Sequence, residues 1–266
     1  MKKKVLLIAA LFTAGISFTQ AQMTSKKGTP ILPEAGDYAL GFDASSLTGY
    51  AGNLLNGGSN GSLQPLGLAV GATTITGKYF VDANKAYRGL IRIGYASEND
   101  RFIVGDATSA DPDATVENNL KSSSLNVTVG GGIEMRRGQG RLQGVYGPMA
   151  MITFGSGLDT TAEYGNALAD LTPAPGNFRQ TETNSGGTFT IAVGGFAGVE
   201  YFFAPKMSIG GEIMWTINYT SQGDGEETFE VWNGTSVDER KQEAGGFSSF
   251  NVGTTPMANI NINFHF

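Results

Sequence analysis

Few residues in this 266-residue chain could do chemistry. There is one histidine, His265, and no cysteine, so a histidine-based triad lacks its partners and a zinc site lacks its ligands. Carboxylates and cations remain. Glu134, Glu200 and Glu212, with Lys78, Arg88, Arg92 and Arg136, each interrupt a run of small and apolar residues. Paired carboxylates can work as acid and base, whereas carboxylates enclosed with cations neutralise one another. Asp106, Asp111 and Asp113, and again Asp224, Glu226 and Glu227, offer hard oxygen ligands that suit Ca²⁺. Neither stretch follows the EF-hand pattern, and Pro112 stiffens the first. They read as solvated acidic loops. No catalytic residue, cofactor or dedicated metal site is expected, and the chain is not expected to be an enzyme.

Which way those charges point depends on the elements that carry them. Side chains alternate faces along a strand, and reading with period two gives about eight strands, near 37–44, 68–81, 86–97, 125–136, 142–154, 188–203, 208–220 and 250–266. The third sets Tyr87, Ile91, Ile93 and Tyr95 against Arg88, Leu90, Arg92 and Ala96. The seventh sets Ile209, Ile213, Trp215, Ile217 and Tyr219 against Ser208, Glu212, Thr216, Asn218 and Thr220. The fifth is less clean, with Val145, Met149 and Met151 on its second face and Pro148 marking an expected bulge. Lys78, Arg88, Arg92, Glu134, Arg136, Glu200 and Glu212 all fall on the second, polar face.

The connections sort by length. Those at 82–85, 137–141 and 204–206 are short, those at 45–65, 98–123, 155–187 and 221–246 are long, and the two kinds alternate. Several strands reach a dozen residues, longer than the 5–6 typical of a soluble sandwich. Tyr87 and Tyr95 stand about 26 Å apart along their strand at ~3.3 Å per residue. With a tilt of ~40° that is about 20 Å along the normal, near the spacing of two aromatic girdles. The expected fold is therefore all-β: a transmembrane antiparallel up-and-down β-barrel of about eight strands, with long extracellular loops and short periplasmic turns. Ten strands result if 98–123 or 221–246 adds a hairpin to the wall.

Both ends agree. Lys2, Lys3 and Lys4 precede an apolar stretch from Val5 to Phe18 and small residues at Thr19 and Ala21, a signal peptide over 1–21. Residues 22–35 read as a periplasmic lead-in, and 36–266 as the barrel. The chain finishes on Ile260, Ile262, Phe264 and Phe266 alternating with Asn259, Asn261, Asn263 and His265. That ending resembles the aromatic assembly signal of bacterial outer-membrane proteins, with Phe264 and Phe266 as its carriers. The 18 basic residues face 24 acidic ones, a formal net charge of −6, which argues against a nucleic-acid partner.

Three stretches carry a wider resemblance: Gly36-Asp37-Tyr38-Ala39-Leu40-Gly41-Phe42-Asp43, Gly77-Lys78-Tyr79-Phe80-Val81 turning into Ala86-Tyr87-Arg88, and Arg137-Gly138-Gln139-Gly140-Arg141-Leu142. In these the chain resembles small outer-membrane β-barrel proteins of Bacteroidota and, more loosely, OmpX/OmpA-type barrels. The resemblance implies a Gram-negative outer membrane, with lipid, lipopolysaccharide and the assembly machinery as partners and no catalytic motif. Acidic loops there would at most bridge divalent cations weakly to lipopolysaccharide. Leu47, Tyr50, Leu54 and Leu55 in the first long loop, and Trp232 in a later one, are candidate contacts for an envelope protein partner. An eight-stranded lumen is just filled by side chains, so a plugged, non-enzymatic barrel acting through its loops in envelope structure, adhesion or a larger complex is expected. A small-solute porin is the alternative. Replacing Phe264 and Phe266 with serine should lower the folded protein in the membrane fraction without changing cleavage after Ala21, measured by quantitative blotting.

Overall fold

The computed structural model describes residues 23–43 and 73–266. The leader at 1–21 and the candidate contacts Leu47, Tyr50, Leu54 and Leu55 lie outside the described residues. Among those described, twelve strands form one antiparallel sheet. They are β1 (Tyr38–Asp43), β2 (Thr73–Asp82), β3 (Lys85–Gly105), β4 (Thr115–Gln139), β5 (Leu142–Gly155), β6 (Asp159–Glu163), β7 (Phe178–Asn184), β8 (Thr188–Ala204), β9 (Met207–Gln222), β10 (Gly225–Trp232), β11 (Val237–Ala244) and β12 (Phe247–His265). Eight of them close a ring, in the order β1-β2-β3-β4-β5-β8-β9-β12 and back to β1.

Closure is what lets the wall stand in hydrocarbon, where a free strand edge would leave its amides unpaired. The outward face fits that setting. Tyr87, Ile91, Ile93 and Tyr95 on β3 are exposed, as are Ile209, Ile213, Trp215, Ile217 and Tyr219 on β9. Tyr38, Tyr79 and Tyr87 sit side by side in register at the short-turn end, with Tyr38 and Tyr79 ring centroids 5.0 Å apart. Phe154 and Phe189 pair at 5.2 Å toward the other end. The fold is a transmembrane antiparallel up-and-down barrel of eight strands.

Beyond the rim the structure departs from the expected loops. The span 98–123 is not a long loop, because β3 and β4 run on as a ladder to Gly105 and Thr115. Their turn is stitched by Asp106 and Asp111, which accept the amides of Thr108 and Asp113. Nor are 155–187 and 221–246 loops. Strands β6 and β7 continue β5 and β8, and β10 and β11 continue β9 and β12, giving an outer sheet in the order β3-β4-β6-β7-β10-β11. The alternative of extra hairpins in the wall also fails: these strands join the upper part of β4, not the ring.

The four continuing strands are interrupted at one height. Gly155, Thr188, Gln222 and Phe247 are register partners across the wall, and each wall strand ends or begins at that row. Gly157 and Gly186 take positive φ there, +80° and +72°. A Cβ on Gly157 would strike the Gly186 carbonyl, and one on Gly186 the carbonyls of Gly223 and Asp224. Glycine is required because the backbones abut. Two smaller expectations also change. Pro148 causes no bulge, since the β4–β5 register is the same on both sides of it. Residues 23–35 are more than an extended lead-in: Thr24 bridges Pro30, and Ile31 is buried with its carbonyl accepting the Lys206 amide. Gly186→Val should cost roughly 1–3 kcal/mol through backbone strain. Limited proteolysis should then cut the outer sheet while the wall keeps its resistance.

Candidate functional site

The even-numbered positions of β2, β3, β4, β8 and β9 carry the charges into the barrel. Lys78, Arg88, Glu134, Arg136, Glu200 and Glu212 are all buried. Ions at this depth persist only when paired, and here they form a connected set. Lys78 Nζ lies 2.9 Å from Glu134 and 3.7 Å from Glu200. Arg136 bridges the same two carboxylates from the other side, at 3.3 Å and 2.6 Å. The result is a closed four-membered cycle of alternating sign. Arg88 grips Glu212 with both guanidinium nitrogens, Nη1 to Oε2 being 2.6 Å, and reaches Glu134 at 3.8 Å.

The polar face of the last strand adds hydrogen bonds to two of the carboxylates, Glu200 and Glu212. Asn261 and Asn263 donate to Glu212 and Glu200 at 3.3 Å and 2.8 Å, and the Ser208 hydroxyl also donates to Glu200. His265 Nε2 stands 3.2 Å from Ser208 Oγ and 3.5 Å from Glu200. With every carboxylate of the set engaged, no free acid and base face each other across a gap.

Arg92 is the exception. Its parity places it in this network, and it does face inward, in register with Thr74 and Thr128. It is half-buried and makes no ion pair among the described residues. Alternation assigns a face but not a level, and Arg92 lies one turn of the pleat above Leu90, beyond reach of the carboxylates.

Rings seal the network from both sides. Below it, His265 lies between Phe80 and Phe202, with centroids 5.5 Å and 5.1 Å away, and the Arg136 guanidinium sits over both phenylalanines. Above it, Arg88 stacks on Phe196 at 4.5 Å, within an apolar layer of Met149, Phe196 and Met214 against which Leu90 and Met151 pack. Period-two reading does not single out Phe80, Phe196 and Phe202. Phe80 and Phe202 share the parity of Lys78 and Glu200 two residues earlier, which is the available clue. Val145, Met149 and Met151 mark β5 in the same way as unusually apolar inside. Toward the outer mouth the lining turns to hydroxyls, with Thr128–Thr153 and Thr190–Thr220 contacts of 2.8 Å.

The outer acidic residues do not converge. Asp106 is spent on Thr108, whose hydroxyl and amide hold its carboxyl below the usual carboxylate range. Asp224 accepts the Gly246 amide, and Glu226 pairs with Lys241 at 2.7 Å, raising that ammonium above its ordinary value. Among the described residues no three histidine, cysteine or acidic side chains group as a metal site. Trp232 is half-buried rather than exposed. Its amide donates to Asn177 and its carbonyl accepts from Gly176, which ties β10 to the preceding loop. Phe264 and Phe266 both face outward beside β1, Phe266 exchanging backbone hydrogen bonds with Tyr38.

No family model and no curated protein matches the chain. Among solved structures, a major outer membrane protein from Thermus thermophilus is 10% identical, with a TM-score of 0.37 over 87% of this chain and 100% of that one. The outer membrane protein OprG from Pseudomonas aeruginosa is 11% identical, with a TM-score of 0.27 over 89% and 98%. Likeness of that degree carries no functional argument, and the class of protein rests on the closed ring and its apolar belt.

Removing one partner of a buried pair leaves the other charge stranded. Arg88→Ala or Glu212→Ala should each destabilise the barrel by about 3–5 kcal/mol, and Arg88→Met with Glu212→Leu should recover much of it. Arg92→Ala should stay within about 0.5 kcal/mol of wild type. Urea unfolding of the protein in vesicles measures all four.

Proposed function

We propose that the chain is an outer-membrane barrel of a Gram-negative bacterium, of the small Bacteroidota kind its sequence resembles. Its lumen is closed, it has no catalytic centre, and it acts through the sheet it holds outside the membrane. The observation that carries this reading is the lumen filling. Three cations and three carboxylates span the interior in mutual contact, an apolar layer lies over them, and aromatic rings lie beneath. Paired charges in so narrow a bore leave no continuous water path.

The outer sheet is the part with capacity to act. It is built rather than loose: Arg179 joins Glu230 at 2.8 Å, stacks on Tyr164 at 4.1 Å and donates to the Asn166 carbonyl. Buried Asn166 in turn ties Gly105 to Ala107. The sheet is also strongly acidic, and an acidic surface suits envelope contacts made through divalent cations to lipopolysaccharide, or docking of a basic envelope protein. Adhesion, envelope structure and membership of an outer-membrane complex are the roles this surface supports.

The purified protein in a planar bilayer should give no steady conductance, while its gel band shifts on boiling as a folded barrel's does. A reproducible conductance of porin size would overturn the closed lumen and restore the porin alternative. Recovery from the soluble periplasm, with no shift on boiling, would overturn the membrane reading altogether.

A further inference from the structure

The lipid-facing wall carries a notch near its short-turn end. On β2, β3 and β4 the outward positions Gly77, Gly89 and Gly131 are consecutive register partners. Gly77 and Gly89 open into a groove of about 610 Å³ walled by Tyr38, Tyr79 and Tyr87. Glycine inside a strand sacrifices packing and backbone entropy, so its presence calls for a reason. Elsewhere in this wall the reason is steric: a Cβ on Gly132, Gly147 or Gly194 would run into a neighbouring carbonyl. At Gly77 a Cβ would meet nothing within 4 Å, and at Gly89 only the Gly130 carbonyl at 3.9 Å. Neither has a positive φ. Closure of the barrel does not ask for these glycines.

Two cations stand at the foot of the same strip. Lys85 Nζ is 6.0 Å from the centroid of the Tyr87 ring that walls the groove. Lys85 is half-buried; Arg137 lies on the adjacent strand, two residues from Met135, the register partner of Lys85, and is exposed. Neither makes an ion pair among the described residues. An apolar slot bounded by tyrosines, with two unpaired cations one step beyond that tyrosine row on β3 and β4, matches a chain of methylenes joined to a phosphate. Charge complementarity selects lipid over a second copy of this wall, which would bring the same two cations against themselves.

We propose that this groove holds one anionic phospholipid, with an acyl chain laid over Gly77 and Gly89 and the phosphate on Lys85 and Arg137. The inference rests on the membrane-spanning reading above and adds a specific lipid site to it. Native mass spectrometry of the full chain, released from detergent after incubation with phosphatidylglycerol or phosphatidylcholine, tests it. Wild type should retain one phosphatidylglycerol in preference to phosphatidylcholine. Lys85→Gln with Arg137→Gln should weaken that retention about tenfold. Gly77→Leu with Gly89→Leu should abolish retention of either lipid with the unfolding temperature unchanged or raised, since the new side chains enter open space. Equal retention by wild type and both variants would overturn the site, as would a lipid-free dimer as the main species of wild type. A protein that never inserts into vesicles defeats the membrane reading instead, whereas a heat-modifiable barrel without retained lipid defeats only this proposal.

Discussion

Everything in this protein depends on the seam where β1 meets β12. In hydrocarbon an unpaired amide has no water to turn to, so the wall is viable only as a closed ring. Most of its ladders are long, that between β3 and β4 running from Lys85 to Gly105. The seam rests on five register pairs, Ala39–His265 to Asp43–Asn261, with Tyr38 and Phe266 exchanging bonds below them. The residues that make the seam also serve the lumen. Asn261, Asn263 and His265 reach the carboxylates of Glu212 and Glu200 from the strand that closes the ring. Ring closure and charge satisfaction are one event, and neither is complete without the other.

Eight strands also set the bore. A ring of that size has room for side chains and little else, so the inward faces had to be composed as a core. The chain uses ions for this rather than hydrocarbon alone. Hydrophobic replacements of buried ion pairs are often neutral or stabilising, so the charges are not there for stability. Their alternating cycle specifies which strand lies opposite which, because Lys78, Glu134, Arg136 and Glu200 come from β2, β4 and β8 and meet correctly in one register.

The wall was legible in the sequence because each of its strands has one face in lipid and one in the lumen, and period two records that contrast. Six of the seven charges assigned by parity meet inside the barrel. Parity was blind to two things. It does not give height on a tilted strand, so by parity alone Arg92 sorts with carboxylates with which it makes no ion pair among the described residues. It also fades where both faces of a strand meet water: β11, from Val237 to Ala244, is exposed at nearly every position and reads as loop. The inward phenylalanines are hidden from it for the converse reason, since an apolar residue on the polar face looks like noise until the lumen is known to be layered.

The short interruptions at Gly157 and Gly186 have a mechanical meaning. The outer sheet is not tethered to the barrel by slack; its strands are the barrel's own strands prolonged past the rim. A load hung on β6, β7, β10 or β11 is therefore transmitted straight into β5, β8, β9 and β12, along their length. Strands pulled along their length fail only by shearing many hydrogen bonds together, whereas a hairpin peeled from its end gives way rung by rung. The molecule is built like a rivet, its head continuous with its shank, and pulling on the head loads every rung of the wall at once.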